Sequence, residues 1–208
     1  MKLTERTVAD LLSAFRSSDP TPGGGSASAL SGAVGASLLA MVAGLPKPLA
    51  ATAEDVERLQ TAGARCAAHA QTLEGLIDRD SDAYELVVSA YRLPKASDAE
   101  KAARTSRIQD ALRAATEAPL DVMRACSAAL EQAAVVARFG NRNASSDVQV
   151  ALELLAAGLR GARLNVDINL ASVKAQDYVA RVRSETERLA IECEREVEGA
   201  RAALAATG

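Results

Sequence analysis

The chain has 208 residues, which is enough for a full hydrophobic core, and we expect residues 1–208 to form one domain. Aromatic residues make up 2% of the sequence and hydrophobic residues 49%, a composition that favours closely packed helices over sheet. The net charge of -3 and the lack of a basic stripe argue against nucleic-acid binding. Three widely separated cysteines and a single histidine, His69, argue against a disulfide framework and against a metal centre.

The N-terminal stretch predicts a short amphipathic helix. Thr7 and Asp10 have the spacing of a helix cap, and the pair Asp19-Pro20 is expected to end this element. Charged residues occur throughout residues 1–15, without the apolar core of a secretory signal. We therefore expect a cytoplasmic protein.

Residues 21–45, TPGGGSASALSGAVGASLLAMVAGL, contain no charged residue and predict a buried helix. Gly23, Gly24 and Gly25 form the loop before it, and Ser26 or Ser28 is expected to cap it. The free N–H groups at such a helix start could receive an anionic part of a ligand, so the three glycines are candidate binding residues.

This predicted helix carries small residues at every fourth position. They are Ser28, Gly32, Ala36, Ala40 and Gly44. A face with so little side-chain bulk lets another backbone come very close. The segment has few large aliphatic residues and no flanking basic clusters, so we interpret it as a packing helix and not as a membrane span.

Four further long helices are predicted along the chain. One runs from a cap at Thr52 to about Tyr91, and the next begins at a cap at Ser97, bends or restarts at Pro119 and continues to Phe139. Another is expected to be capped by Ser145 or Ser146 and to reach about residue 172, and the last covers about 175–204. With no convincing strand, the pattern predicts an all-α antiparallel bundle of about five long helices plus a short N-terminal helix.

Asp80 interrupts the apolar stripe of the helix that precedes Tyr91. The stripe comprises Leu73, Leu76, Ile77, Ala83, Tyr84, Val87, Ala90 and Tyr91. The helical period places Asp78, Asp82 and Glu85 on the opposite side, where we expect them to be solvated. Burial among aliphatic and tyrosine neighbours would raise the pKa of Asp80 towards neutrality, as an acid or base requires. The alternative is structural: Asp80 caps a helix or pairs with an arginine.

A second line of polar residues follows the segment GNRN at residues 140–143. The line comprises Asp147, Ala151, Leu154, Gly158, Gly161, Asn165, Asn169 and Ser172. Glycine is unfavourable inside a helix, so Gly158 and Gly161 predict close approach by a helix or by a flat ligand. The asparagines either bind that ligand or satisfy buried backbone. Lys95 is a further candidate, because Leu93-Pro94 fixes it in a stiff turn beyond Tyr91.

Taken together, these motifs resemble the cyclodeaminase/cyclohydrolase family of tetrahydrofolate enzymes. The matching segments are TPGGGS at 21–26, DSDAY at 80–84, LPK at 93–95, APL at 118–120, GNRN at 140–143, SD at 146–147 and NVDINL at 165–170, together with Arg104. The resemblance covers nearly the whole chain. It implies an all-helical homodimer with a folate site in a groove between helices, an aspartate near position 80 as acid or base, and no cofactor or metal besides the folate substrate.

Side-chain chemistry suggests roles for the candidate residues in such a folate site. Asp80 would be the acid or base, with Asp78 as the next candidate. Lys95 would bind ligand charge, and Asp147 would face the amino edge of the pterin. Hydrogen bonds to the pterin or its tail would come from the remaining candidates, which are Asn141, Asn143, Asn165 and Asn169.

Two reactions fit the resemblance. The first is formiminotetrahydrofolate cyclodeamination, which gives 5,10-methenyltetrahydrofolate and ammonia. The alternative is methenyltetrahydrofolate cyclohydrolysis, which gives 10-formyltetrahydrofolate, and a third possibility is a folate-binding or interaction dimer without catalysis.

Active relatives carry a basic segment such as GKKKY or GRRQF after the central helix. Only Lys47 remains at that place here, which favours the third possibility.

Overall fold

The computed structural model describes residues 2–46 and 52–206, and no strand occurs among them. The helices are α1 (Val8–Phe15), α2 (Gly24–Gly44), α3 (Ala53–Tyr91), α4 (Asp98–Leu130), α5 (Ala133–Phe139), α6 (Ser145–Leu170) and α7 (Gln176–Ala206). Single 3₁₀ turns cover Leu3–Glu5 and Arg142–Ala144. The predicted all-α bundle with five long helices is confirmed, and a second short helix, α5, accompanies α1.

The central element is α2, which packs between α3 and α6. Its glycines make these contacts possible. A Cβ atom at Gly35 would lie 2.9 Å from the carbonyl oxygen of Ala151, and one at Gly158 of α6 would lie 2.8 Å from that of Ser28. Both distances are too short for real side chains, so the predicted close approach of two helices is confirmed. At the end of the small-residue face, Gly44 has no neighbour within 4 Å of a Cβ position.

Side-chain caps explain the starts of α1, α3 and α4. Thr52 accepts the N–H of Asp55 at 3.1 Å, and Ser97 forms a capping box with Glu100. The prediction for α6 was wrong, because neither Ser145 nor Ser146 caps it. Instead, the helix grows out of the preceding 3₁₀ turn, in which the side chain of Asn141 accepts the N–H of Asn143 at 3.0 Å.

The path of the chain around Pro119 also differs from the prediction. Pro119 lies inside α4, which runs on without restarting, and the helix ends at Leu130 instead of continuing to Phe139. A proline has no N–H, so the carbonyl of Ala115 loses its partner within the helix. The side-chain amide of Asn169 on α6 donates to that carbonyl at 2.7 Å. The asparagine therefore compensates for the proline across the α4–α6 contact.

A half-buried ion network fixes α7 against α4. The guanidinium of Arg124 donates to both carboxylate oxygens of Glu185 at 2.7 and 2.9 Å, and also to Asp121 at 2.7 Å. Two parallel bonds to one carboxylate restrict the geometry more than a single ion pair does. This network closes the side of the bundle that lies away from α2.

Candidate functional site

The carboxylate of Asp80, on α3, lies at the first turn of α2. Its Oδ2 atom accepts the backbone N–H of Ser26 at 3.0 Å. The residue before α2 is Gly23, which has no side chain to cap the helix. Asp80 therefore caps α2 from a neighbouring helix, where the positive end of the helix dipole favours a carboxylate.

The two serines expected to cap α2 have other partners. The hydroxyl of Ser26 donates to the carbonyl of Ile77 at 2.8 Å, and that of Ser28 donates to the carbonyl of Gly24 at 2.7 Å. Both hydroxyls point away from the free N–H groups, so the predicted serine cap is wrong. The serine hydroxyl at position 26 instead ties the start of α2 to the backbone of α3.

Gly25 leaves the space that the carboxylate occupies. A Cβ atom at this position would overlap both carboxylate oxygens of Asp80. A Cβ at Gly23, by contrast, would have only the carbonyl oxygen of Pro20 nearby, at 3.8 Å. Of these two glycines, only the one at position 25 is required by the position of the acid.

Burial raises the pKa of Asp80, and the hydrogen bonds from Ser26 act in the opposite direction without cancelling the effect. Asp80 forms no salt bridge with any of the described arginines. Tyr84 and Tyr91, which we expected in the buried stripe beside Asp80, are exposed. The first turn of α2 covers the carboxyl group, which lies against Gly25. A more basic carboxylate than that of a surface aspartate results.

Asp78 has a structural role. It accepts the N–H of Leu3 at 2.5 Å and the hydroxyl of Thr4 at 2.8 Å, and it is half-buried. The expectation that Asp78 is solvated was wrong, whereas Asp82 and Glu85 are exposed as predicted. Because both oxygens of Asp78 hold the N-terminal turn, this residue is poorly placed as a substitute acid or base.

Asn165, on α6, flanks the first turn of α2 opposite Asp80. A Cβ atom at Gly24 would lie 3.4 Å from the side-chain nitrogen of Asn165. That nitrogen donates to the carbonyl of Gly161 at 2.9 Å. Asn169 lies one turn further along α6 and turns towards α4, as described above. Asp80, Asn165, Gly24 and Gly25 thus meet at the first turn of α2, and Asn169 faces the bundle interior.

The other predicted ligands lie elsewhere. The side-chain amide of Asn141 donates to the carbonyl of Pro46 at 2.9 Å, just beyond the C-terminal end of α2. Since α2 has 21 residues, about 30 Å of helix separates this loop from Asp80. Asn143 and Asp147 follow Asn141 in the chain and share its end of the bundle.

Lys95 is also remote from Asp80 in this chain. Lys95 is exposed and follows the C-terminal end of α3. That end, at Tyr91, lies eleven residues beyond Asp80, which is about 16 Å along the helix. The single cation left from the expected basic segment, Lys47, lies outside the described residues. The predicted site residues therefore occupy three separate places in one chain.

Comparison with known proteins identifies the family. The sequence pattern described as formiminotransferase-cyclodeaminase matches residues 7–188. The chain belongs to this family. Its relatives include a methenyltetrahydrofolate cyclohydrolase of Methylorubrum extorquens, 43% identical over 168 residues that cover 78% of each chain. A formimidoyltransferase-cyclodeaminase of Sus scrofa is 34% identical over 166 residues, which are 78% of this chain and 30% of that longer protein.

The fold agrees with that of a family member of known structure. The crystal structure of formiminotetrahydrofolate cyclodeaminase from Thermotoga maritima superposes with a TM-score of 0.86, at 24% identity, over 99% of both chains. The protein is thus a member of the folate cyclodeaminase/cyclohydrolase family with the expected helical fold. The resemblance drawn from the sequence motifs is confirmed.

Two serines place hydroxyl groups beside Asp80; Ser26 was predicted as a cap and as part of the segment TPGGGS, and Ser81 was not singled out. The hydroxyls of Ser26 and Ser81 lie 3.4 Å apart, and the Ser26 hydroxyl lies 3.5 Å from Oδ2 of Asp80. In the sequence, Ser26 directly follows Gly25 and Ser81 directly follows Asp80. These positions by themselves indicate only helix capping. In this family member the two hydroxyls form the polar surroundings of the acid.

A cavity of about 690 Å³ runs along α2 between α3 and the N-terminal segment. Ile77, one turn before Asp80, lies at its lining. Its volume is in the range of small-molecule sites, and its walls are mostly apolar. Among residues 2–46 and 52–206 there is no cluster of three or more histidine, cysteine or acidic side chains that could hold a metal ion.

Proposed function

We propose that the protein hydrolyses 5,10-methenyltetrahydrofolate to 10-formyltetrahydrofolate in the cytoplasm, with Asp80 as the general base. The observation that supports this choice most strongly is the 43% identity to a methenyltetrahydrofolate cyclohydrolase over 78% of both chains. This identity favours the hydrolase reaction. From the sequence motifs alone, the deaminase reaction was placed first. No cofactor besides the folate is part of the proposal.

The chemistry needs one proton acceptor. The methenyl carbon bridges N5 and N10 of the folate and shares a positive charge with both nitrogens. Water attacks this carbon, and Asp80 accepts one of its protons as the C–O bond forms, which leaves a neutral hydroxyl adduct. The C–N5 bond then breaks as the hydroxyl proton is lost and N5 gains a proton, so the formyl group stays on N10. One water is consumed and one proton is released.

The surroundings of Asp80 suit this role. The N–H of Ser26 holds Oδ2, which orients the carboxylate through a backbone group of a rigid helix. Burial raises the pKa of Asp80, so its ionised form is a stronger base than an exposed aspartate. A base whose pKa lies nearer the working pH transfers protons more efficiently.

Formiminotetrahydrofolate cyclodeamination is the second candidate. The 34% identity to the formimidoyltransferase-cyclodeaminase of Sus scrofa supports it. In that reaction N10 attacks the formimino carbon and ammonia leaves, so a protonated acid must assist the departing nitrogen. The raised pKa of Asp80 increases the fraction of the protonated form, and one carboxyl group can therefore serve either reaction.

The ligand roles of the other residues are part of the same proposal. Asn165 lies at the first turn of α2, as Asp80 does, and would bind the pterin or its tail. Lys95 would contribute ligand charge, and Asn141, Asn143 and Asp147, about 30 Å away along α2, would bind the ligand from the second chain of a homodimer. Asn169 has a weaker case, because its amide nitrogen already serves the carbonyl of Ala115.

The test is an assay of the purified protein with each folate. With 5,10-methenyltetrahydrofolate, the loss of its near-ultraviolet absorbance should be faster than in buffer alone. With formiminotetrahydrofolate, release of ammonia and appearance of the methenyl absorbance would instead support the deaminase. If neither substrate reacts above the buffer rate, the enzyme proposal is wrong and a non-catalytic folate-binding dimer is the better description.

A further inference from the structure

The two carboxylate oxygens of Asp80 have different surroundings. Oδ2 accepts the backbone N–H of Ser26 at 3.0 Å. Oδ1 has no hydrogen-bond partner among the described residues, and it is not one of the buried polar atoms that lack a partner there. Solvent therefore reaches Oδ1. Of the two oxygens, Oδ1 is the one that a water molecule can approach without displacing a bond of the protein.

Ser26 joins α2 to α3 by two hydrogen bonds. Its N–H donates to Asp80, and its hydroxyl donates to the carbonyl of Ile77, three residues earlier on α3, at 2.8 Å. Ser26 is 0% exposed, so water does not compete for either bond. A residue that is held at two points of a neighbouring helix cannot turn relative to that helix. The hydroxyl of Ser26 therefore fixes the direction in which its own N–H meets the carboxylate.

Ser81 orients the hydroxyl of Ser26. The two hydroxyl oxygens lie 3.4 Å apart. A serine hydroxyl has one proton and two acceptor positions, and Ser26 uses its proton at the shorter contact with Ile77. Ser81 is therefore the donor of the pair. The Ser26 hydroxyl also lies 3.5 Å from Oδ2 of Asp80, which is too long for a strong bond, so it acts on the acid mainly by fixing the helix.

We infer that the hydroxyl of Ser26 is a positioning group of the proposed reaction, which holds Oδ2 of Asp80 at the start of α2 and leaves Oδ1 as the oxygen that takes the proton from water. This role rests on the proposed function. One O–H bond of water breaks as its oxygen bonds to the methenyl carbon, and the proton passes to Oδ1. Because Ser26 is fully buried, it acts through Asp80 and not on the folate.

Charged side chains around Asp80 do not take over this control. The helix α2 carries none, and the side chain that faces its first turn from α6 is the neutral Asn165. The charged residues nearest to Asp80 along α3 are Asp78, Arg79 and Asp82. The first holds the N-terminal turn, the second pairs with an acid of α4 at 2.7 Å, and the third is exposed. The pKa of Asp80 is thus raised by burial and lowered by the bonds from Ser26.

The first test is the pH dependence of kcat and KM for methenyltetrahydrofolate in wild type and S26A. The variant keeps the backbone N–H but loses the hydroxyl that directs it. We expect kcat to fall by about 10-fold or more with little change in KM, since the acid is no longer held in place. The acidic limb should move to higher pH, because Ser26 then lowers the pKa of Asp80 less. A fall in kcat without this movement, as general damage to the fold would give, overturns the inference.

S28A is the matched control. Ser28 is also buried in α2, and its hydroxyl donates to the carbonyl of Gly24 at 2.7 Å without a bond to Asp80. This variant should keep the wild-type kcat and the wild-type acidic limb. S81A leaves the bond between Ser26 and Ile77 in place and should have a smaller effect than S26A. A limb that moves as far in S28A as in S26A, or further in S81A than in S26A, overturns the role of the Ser26 hydroxyl.

The second test needs no turnover. Carboxyl ¹³C NMR follows the titration of Asp80, whose signal is assigned by its absence from D80N. The pKa of Asp80 should be higher in S26A than in wild type, and S26C, which keeps a weaker donor, should lie between them. An unchanged titration in both variants overturns the inference. If wild type is inactive on both folates, the proposed function fails, while the titration still shows whether the Ser26 hydroxyl controls Asp80.

Discussion

The carboxylate of Asp80 occupies the space that a side chain at Gly25 would need. The glycine thereby lets an acid on α3 reach the first N–H groups of α2, where Ser26 holds it at 3.0 Å. This contact couples a packing feature of the central helix to the chemistry of the site. It also explains why the first turn of α2 needs a glycine at position 25, since Gly24 and Gly25 lie inside the helix and not in the loop that the sequence predicted.

Gly25→Ala should abolish most of the activity. The added Cβ overlaps Asp80 and must push the carboxyl group off the start of α2, so we expect a loss of about 10²-fold or more, as for removal of a general base. The measurement is kcat/KM for methenyltetrahydrofolate. Adding the substitution to D80N should cause little further loss of activity, because the general base is already absent.

The control for this prediction is Gly75→Ala on α3. No atom lies within 4 Å of a Cβ at position 75, and alanine is favoured over glycine in a helix by about 0.5–1 kcal/mol. The variant should be fully active and slightly more stable. Wild-type kcat/KM in Gly25→Ala would show that the site tolerates a displaced Asp80, contrary to the role given to it here.

The pH dependence of stability should reveal the desolvation of Asp80. Its folded-state pKa is raised, so the folded chain binds a proton more tightly than the unfolded chain does. The corresponding stability is fully present below the ordinary aspartate pKa and is lost as the pH rises through the folded value. D80N lacks this dependence and should be more stable than wild type at pH 7, by about 1.4 kcal/mol for each unit of the pKa difference.

Urea denaturation at several pH values measures this effect. The difference between D80N and wild type should shrink as the pH falls and should vanish near about pH 3, where the aspartate is protonated in both states. The amide oxygen that D80N introduces can still accept the N–H of Ser26. A wild type that is more stable than D80N at pH 7 would mean that the ionised carboxylate stabilises α2 more than burial destabilises the charge.

Asn169 should matter for stability through Ala115. Pro119 has no N–H for the carbonyl of Ala115, and the side chain of Asn169 is the donor that remains. Replacing Asn169 with leucine removes this donor and should lower the free energy of unfolding by about 1–3 kcal/mol. In a Pro119→Ala background the helix supplies its own N–H, so the same replacement should cost much less. A double-mutant cycle by thermal or urea unfolding measures the coupling. Equal costs in both backgrounds would contradict the role of Asn169 as the partner of that carbonyl.

The sequence predicted much of the helical architecture and the partial burial of Asp80. Charge-free residues 21–45 with small residues at every fourth position indicated the packing of α2, and the period of α3 singled out Asp80. Periodicity describes one helix at a time. It could not show that Asp78 holds the N-terminal turn, since that contact joins residues 75 positions apart. Nor could it show that Asn169 compensates for Pro119 on another helix.

Which candidates share a site also lay beyond the sequence. The sequence predicted that Asn165 and the loop at 140–143 both bind the ligand. The loop, however, precedes the start of α6, and Asn165 lies near the other end of that helix. The distance follows from the antiparallel packing of α2 and α6, which pairs Gly24 with Asn165 and Gly35 with Ala151. This register places the two groups at opposite ends of α2 within one chain.

The most direct test of Asp80 as the general base is kcat/KM for methenyltetrahydrofolate hydrolysis by wild type and D80N as a function of pH. Wild-type activity should fall as the pH drops through the pKa of Asp80, which burial places above the usual aspartate range. D80N should be slower by about 10²- to 10⁴-fold and should lack this acidic limb. A folded D80N with wild-type kcat/KM would contradict the assignment of Asp80.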